Sequence, residues 1–206
     1  MNETWKYLET DVLILGAGGA GLCAILHLMN HHPKPQVFLA VRGLFGKSGC
    51  TRMVQGGYNV VLDKSDSLEA HFHDTIKGGQ WLNDQELAWK MVKEAPGRIL
   101  ELENRAGCFF DRNPDGTVNQ KPFAGQSFDR TVHKGDLTGI EIINRLSEQV
   151  AAMENVTIRE EMRAVDLLFD RSGQKVTGAL LIDLRCGEFI VVQARAVLLA
   201  TGGGPT

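Results

Sequence analysis

The sequence predicts an α/β fold in which a parallel sheet is joined to a three-stranded antiparallel β-meander. Three observations predict it. An apolar run, Val12-Leu-Ile-Leu15, empties into Gly16-Ala-Gly-Gly-Ala-Gly21, and Leu22, Ile25, Leu26 and Met29 follow at helical spacing. A second strand-to-glycine exit of the same kind stands at Ala196-Val-Leu-Leu-Ala200 and Thr201-Gly-Gly-Gly204. Between Ala164 and Ala194, three strand-like runs alternate with short glycine turns, which is the pattern of a meander.

The elements are expected in this order. A first βαβ unit runs from Asp11 to about Val41, with Val37-Phe-Leu-Ala-Val41 as its second strand. His31-His-Pro-Lys-Pro35 connects helix to strand, because proline stops the helix. Arg42-Gly-Leu-Phe-Gly-Lys-Ser-Gly-Cys-Thr51 is a glycine-rich loop too long for a plain turn. Asp66 or Ser67 starts an amphipathic helix with Leu68, Phe72 and Ile76 on one face, ended by Gly78-Gly79. Asn83 is read as the cap of the next helix, with Glu86 at the capping-box position, and that helix runs toward Ala95-Pro96. Ile99, Leu100 and Leu102 begin a further helical piece that ends at Gly107, and Asn113-Pro-Asp-Gly116 is a turn. Ile142, Ile143, Leu146 and Val150 mark a helix from Thr138, and Val156-Thr-Ile158 is a short strand returning to the sheet. The meander strands are Ala164 to Phe169, Val176 to Asp183 and Phe189 to Ala194, followed by a separate last strand, Ala196 to Ala200. The whole reads as one domain over 1–206, with 58–135 a largely helical insertion.

Composition narrows the function classes. The 206 residues are 43% hydrophobic, enough for a sizeable core. A net charge of -3 gives no electrostatic case for nucleic acid or for a membrane surface. Residues 12–29 are apolar enough to resemble a membrane span, but Gly16, Gly18, Gly19, Gly21 and His27 argue for strand, turn and helix. No basic segment or small-residue cleavage site of a signal peptide precedes them, so the chain is expected to be soluble and cytoplasmic. Cys23, Cys50, Cys108 and Cys186 form no C-x-x-C pair and read as free thiols in a reducing compartment, with no zinc or iron–sulfur site. His71 and His73 do not suggest a metal, because side chains two apart on a helix point away from each other.

Gly16, Gly18 and Gly21 have the G-x-G-x-x-G spacing of a Rossmann-like dinucleotide site. The first glycine allows the tight turn, the second lets the backbone approach a pyrophosphate, and the third brings helix and strand together. The helix amides then face the phosphates. Ala17, Gly19 and Ala20 complete the loop. About 20 residues further on, such sites place an acid on the ribose; here the second strand ends in Ala40-Val41-Arg42. Two readings stay open at this point. One is NADP with Arg42 on its 2′-phosphate; the other is a flavoprotein that contacts the ribose differently.

The following residues, Ser48-Gly-Cys-Thr-Arg-Met-Val-Gln-Gly-Gly-Tyr-Asn59, resemble the flavin loop of the succinate dehydrogenase, fumarate reductase and L-aspartate oxidase flavoprotein family. The resemblance continues through Asp74-Thr-Ile-Lys-Gly78, Leu82-Asn-Asp-Gln85, Pro96 to Glu103, Arg112-x-x-Asp115-Gly116 and Pro122-Phe-Ala-Gly-Gln-Ser127. Arg130-Thr131, Asp136-x-Thr-Gly139 and Leu199-Ala-Thr-Gly-Gly203 extend it over nearly the whole chain. It implies the FAD-binding part of a longer oxidoreductase, whose full form moves hydride between flavin N5 and a small dicarboxylate. An L-aspartate oxidase-type enzyme and a non-catalytic flavin electron-transfer module are the alternatives within this class. The implied FAD has its pyrophosphate on Gly16 to Gly21, while Arg42, Gly43, Lys47, Ser48, Gly49, Cys50 and Thr51 wrap the ribityl chain and ring. Gln55, Gly56 and Gly57 offer amides to the ring edge, where fixed dipoles stabilise the charge of reduced flavin. By the same resemblance, backbone near Ala164 contacts adenine, Ala200, Thr201 and Gly202 line the cofactor, and Phe123 packs on the substrate. An iron–sulfur electron-transfer protein is the implied partner, with membrane association only through partner subunits.

The sequence departs from the family at one informative place. Where the membrane-complex members carry a covalently linked histidine, this chain has Cys50. Non-covalent FAD is therefore expected, with a lowered flavin potential that favours reduction of fumarate-like acceptors. Arg105, Arg112 and Arg130 do not match the family's proton-donating arginine, which lies in a capping region outside this sequence, so no catalytic acid is assigned.

Overall fold

The computed structural model describes residues 5–204, so the first four and last two positions of the expected 1–206 domain lie outside the described residues. The chain divides into two compact units, Met1–Arg52 with Leu146–Thr206, and Met53–Arg145.

The first unit is built on a six-stranded sheet. Strand β1 (Lys6–Leu15) runs into helix α1 (Gly19–Leu28) and then β2 (Val37–Ala40). Later in the chain come β6 (Val156–Arg159), β7 (Met162–Phe169), β8 (Val176–Asp183) and β9 (Phe189–Leu199). The order across the sheet is β6-β2-β1-β9-β8-β7. β1 pairs in parallel with both β2 and β9, and β2 with β6, whereas β7, β8 and β9 are antiparallel. The predicted parallel sheet and meander are thus one continuous sheet, hinged on β9. One face is sealed by Leu13, Leu15, Phe38, Ala40, Leu181, Ile190 and Val192, all buried.

Two strands differ from the expected ones. β1 begins at Lys6, not Asp11, because Lys6 to Thr10 pair with Ile190 to Ala194. The third meander strand and the separate last strand are a single strand, β9, so Arg195 does not interrupt it. Instead, Arg195 projects from the strand and meets the Asp11 carboxylate at 3.3 Å, at the point where β1 and β9 skip a pair.

The second unit holds two helices, α2 (Leu68–Gly78) and α3 (Gln85–Glu101), and a small sheet of order β3-β5-β4, formed by Tyr58–Asn59, Thr131–Val132 and Gln120–Lys121. Ser67 caps α2 as expected, accepting from the Ala70 amide at 3.0 Å. For α3 the cap is Asp84, not Asn83: its carboxylate accepts from the Leu87 amide at 3.0 Å. Nor does α3 stop at Pro96. It passes through the proline to Glu101, continues as a wide turn over Leu102–Ala106, and ends on left-handed Gly107. Ala95 and Ile99 are buried on either side of Pro96, so packing outweighs the missing hydrogen bond there. Helix α4 (Thr138–Ala151) spans the expected residues, and its later part leads back into the first unit.

Candidate functional site

Both glycine exits leave the C-terminal edge of the six-stranded sheet side by side. Gly16 donates its amide to the Ala40 carbonyl at 2.9 Å, and Ala200 donates to Leu15 at 2.9 Å. Gly16 has φ +110°, and a Cβ there would fall on the Ala200 carbonyl oxygen, so the two exits touch through backbone. A Cβ on Gly21 would likewise fall on the Gly16 carbonyl oxygen. This is the close strand-to-helix packing expected of the third glycine of the motif.

Gly18 caps α1 in an extended conformation, and no acid occupies the first turn of that helix. The positive end of the helix dipole is therefore unopposed by a nearby carboxylate. Thr51 closes the loop, its hydroxyl oxygen accepting from the Gly19 amide at 3.2 Å. Together these segments wall an open cleft of about 650 Å³ within the first unit. Of the residues singled out above, Gly16, Ala17, Gly18, Gly19, Ala20, Arg42, Gly43, Ser48, Gly49, Cys50, Thr51, Ala200, Thr201 and Gly202 line it. Val41, Leu199 and Gly203 also line it; each flanks a predicted residue, and the last two stand within the Leu199-Ala-Thr-Gly-Gly203 segment of the resemblance.

Three first-unit candidates, Gly21, Lys47 and Ala164, do not line this cleft. Gly21 is buried beneath the loop. Lys47 is exposed on a turn, its amide bonded to Leu44. Ala164 faces the sheet core and pairs with Leu181, and does not line the cleft. Ser48 donates its hydroxyl to the Leu44 carbonyl at 3.2 Å, which is turn chemistry. Cys50 is an exposed free thiol on the cleft wall.

Gln55, Gly56, Gly57 and Phe123 belong to the second unit. Phe123 is 52% exposed and so is no core aromatic. A Cβ on Gly56 would come within 2.9 Å of its ring, so glycine at 56 makes room for the phenylalanine. Phe123 and Gly57 share a cleft of about 490 Å³ with His71, Asp74 and Arg130.

Those last three belong to a network that the sequence did not reveal. Arg130, fully buried, grips Asp66 with Nε at 2.9 Å and Nη2 at 2.8 Å, and Asp74 with Nη1 at 2.5 Å. The same Asp74 oxygen accepts from the Ser127 amide at 2.8 Å and its hydroxyl at 2.7 Å. The Asp66 bonds raise the Arg130 pKa against the opposing effect of burial, with Asp74 adding to them. Burial is the largest influence on Asp74 and acts upward, but the Ser127 amide, Arg130 and the Ser127 hydroxyl together hold its pKa below the usual carboxylate range. His71 is buried with Nδ1 unpartnered, and burial, then the Arg130 charge, lower its pKa. His73, two residues on, is exposed and edges onto Trp81, so the two imidazoles do point apart.

Fold and cleft define an α/β domain of the dinucleotide-binding class, with a glycine loop and a helix N-terminus on the cleft wall. The family model described as FAD binding domain matches residues 11–206, and the chain belongs to that family. An uncharacterized FAD-dependent oxidoreductase of Methanocaldococcus jannaschii is 44% identical over 196 residues, covering 95% of this chain and 35% of the relative. The fumarate reductase flavoprotein of Mycobacterium tuberculosis is 35% identical over 195 residues, covering 95% of this chain and 33% of the relative. Among solved structures, Mycobacterium smegmatis Sdh1 in complex with UQ1 superposes with a TM-score of 0.88 at 34% identity, covering 96% of this chain and 34% of that one. The chain therefore spans about a third of the length of the curated relatives it matches. The family resolves the two readings left open by Arg42 in favour of FAD. Among the described residues, no helix is long and apolar enough to cross a membrane.

Proposed function

We propose that this chain is the FAD-binding part of an oxidoreductase of the fumarate reductase/succinate dehydrogenase type. Its substrate is a small dicarboxylate, and an iron–sulfur partner passes electrons to or from it. The observation that carries the reading is that two glycine exits, about 180 residues apart in sequence, wall a single cleft. That cleft fits FAD on its own terms: Gly16 leaves backbone where a side chain would stand, and the acid-free start of α1 suits a pyrophosphate.

When bound, FAD supplies hydride transfer to or from a carbon–carbon bond. The chain's residues hold and orient. Gly16 to Ala20 present backbone and helix amides to the phosphates. The Thr51 hydroxyl, already accepting from Gly19, keeps its proton to donate. Gln55 to Gly57 offer amides for the ring edge, and Phe123 presents an exposed ring for the substrate. FAD is held without a covalent bond, since Cys50 stands where the resemblance places the linked histidine. The four cysteines, none of them in a disulfide among the described residues, support a reducing, cytoplasmic setting, with membrane contact through partner subunits.

The test is an FAD titration of the purified protein and of Gly18→Ala, followed by flavin fluorescence, with a benzyl viologen-linked fumarate assay alongside. Saturable binding that Gly18→Ala weakens at least about tenfold is expected, without turnover by this segment alone. Equal affinity of the two proteins would overturn the cleft assignment, and turnover would relocate the active site. Acid precipitation should leave the yellow colour in the supernatant; a yellow pellet would show a covalent flavin.

A further inference from the structure

We propose that the chain Arg130–Asp74–Ser127 is a positioning device that holds Phe123 in place for the substrate. The inference rests on the reading of Phe123 given above. Phe123 sits in the connection between Gln120–Lys121 and Thr131–Val132, strands that pair with one another. The connection has little to fix it from within. Its turn bond, from the Gln126 amide to the Phe123 carbonyl, is 3.3 Å long, and the contact between the Thr131 hydroxyl and Gln126 Oε1 is 3.4 Å. The bonds that tie it to α2 are much shorter. Asp74 takes both the amide and the hydroxyl of Ser127 at 2.8 and 2.7 Å, four residues after Phe123. Charge-assisted bonds of that length are roughly twice as strong as neutral ones, so the anchor outweighs the turn.

Asp74 is itself fixed. Arg130 holds it at 2.5 Å while two further bonds lock the guanidinium onto Asp66. A buried ion network of this kind contributes little net stability against an apolar replacement; what its three bonds do here is fix where the Asp74 carboxylate stands. The connection anchored there lays the Phe123 ring against Gly56, whose missing side chain leaves the space. Ser127 is exposed and makes its tie at the surface, so this last link can be cut without opening the core.

The test compares Ser127→Ala, Ser127→Thr, Asp74→Asn and Phe123→Leu in the FAD-loaded holoprotein that carries this chain. Backbone hydrogen exchange at residues 122–127 is read beside kcat and KM for the dicarboxylate. Ser127→Ala should speed exchange in that segment and raise KM about fivefold while kcat stays within about twofold, because Phe123 contributes uniform binding. Asp74→Asn should do the same more strongly, and Ser127→Thr should restore both readouts. If Phe123→Leu raises KM but Ser127→Ala does not, the network is merely structural and the inference fails while the reading of Phe123 stands. If neither moves KM, that reading itself fails. Unchanged exchange in Ser127→Ala would also overturn the inference.

Discussion

Gly16 and Gly18 are two residues apart, yet different physics requires glycine at each. At Gly16 the backbone has φ +110° and a Cβ would strike the Ala200 carbonyl. Gly16→Ala combines left-handed strain with overpacking, so it should lower the unfolding free energy by about 2–4 kcal/mol, measured by urea denaturation without FAD. At Gly18 the nearest atom to a Cβ is the Thr51 hydroxyl oxygen at 3.8 Å, an ordinary contact. Gly18→Ala should therefore keep near-native stability and lose cofactor affinity alone. If both substitutions prove equally destabilising, Gly18 is also a packing residue. The contrast explains what the sequence could show. The fingerprint is local, so neighbouring residues reveal both its spacing and its strand–helix context. Arg130 finds Asp74 and Asp66 56 and 64 residues away, a pairing that no short window contains. The resemblance makes Gly56 a ring-edge donor, and the structure adds a second reason for glycine there, the Phe123 ring.

At the level of elements, apolar periodicity located α1, α2 and α4 and the strands of the large sheet, because burial is what that periodicity encodes. The errors fell where tertiary packing overrode a local signal. Pro96 reads as a stop, but Ala95 and Ile99 are buried around it and the helix continues. Asn83 reads as a cap, but the neighbouring carboxylate takes the role. Asp84→Ala should cost about 1 kcal/mol in chemical denaturation, whereas Asn83→Ala should cost less, since its Oδ1 is buried without a partner. Helix α2 carries a pH dependence of its own. His71 is packed near Arg130, Asp66 and Asp74, and its folded pKa lies below the ordinary imidazole value of about 6.5. The unfolded chain thus binds more protons in this range. The stabilisation is full above about pH 6.5 and is lost as pH falls below that value toward the folded pKa. The urea midpoint should drop between about pH 7.5 and 5.5, and His71→Gln should flatten the drop; an unchanged slope would assign it to other groups.

For the molecule as a whole, the decisive property of the first unit is that its cleft is assembled from three distant stretches, 16–20, 41–51 and 199–203. None of them walls the cleft alone; the sheet order, which sets β1 between β2 and β9, brings their ends together. A ligand that occupies one cleft must therefore protect all three at once. At free FAD about a hundred times its Kd, linkage predicts a gain of about 2.7 kcal/mol in unfolding free energy. Hydrogen exchange should slow in all three stretches with a common midpoint in the FAD titration. Protection of 16–20 without 199–203 would mean that the phosphates are bound but the second exit is not part of the site. Full protection in wild type with selective loss at 16–20 in Gly18→Ala would locate the pyrophosphate on the first exit. The second exit then remains as the opposite wall, which is the arrangement that the backbone contact between Gly16 and Ala200 already imposes.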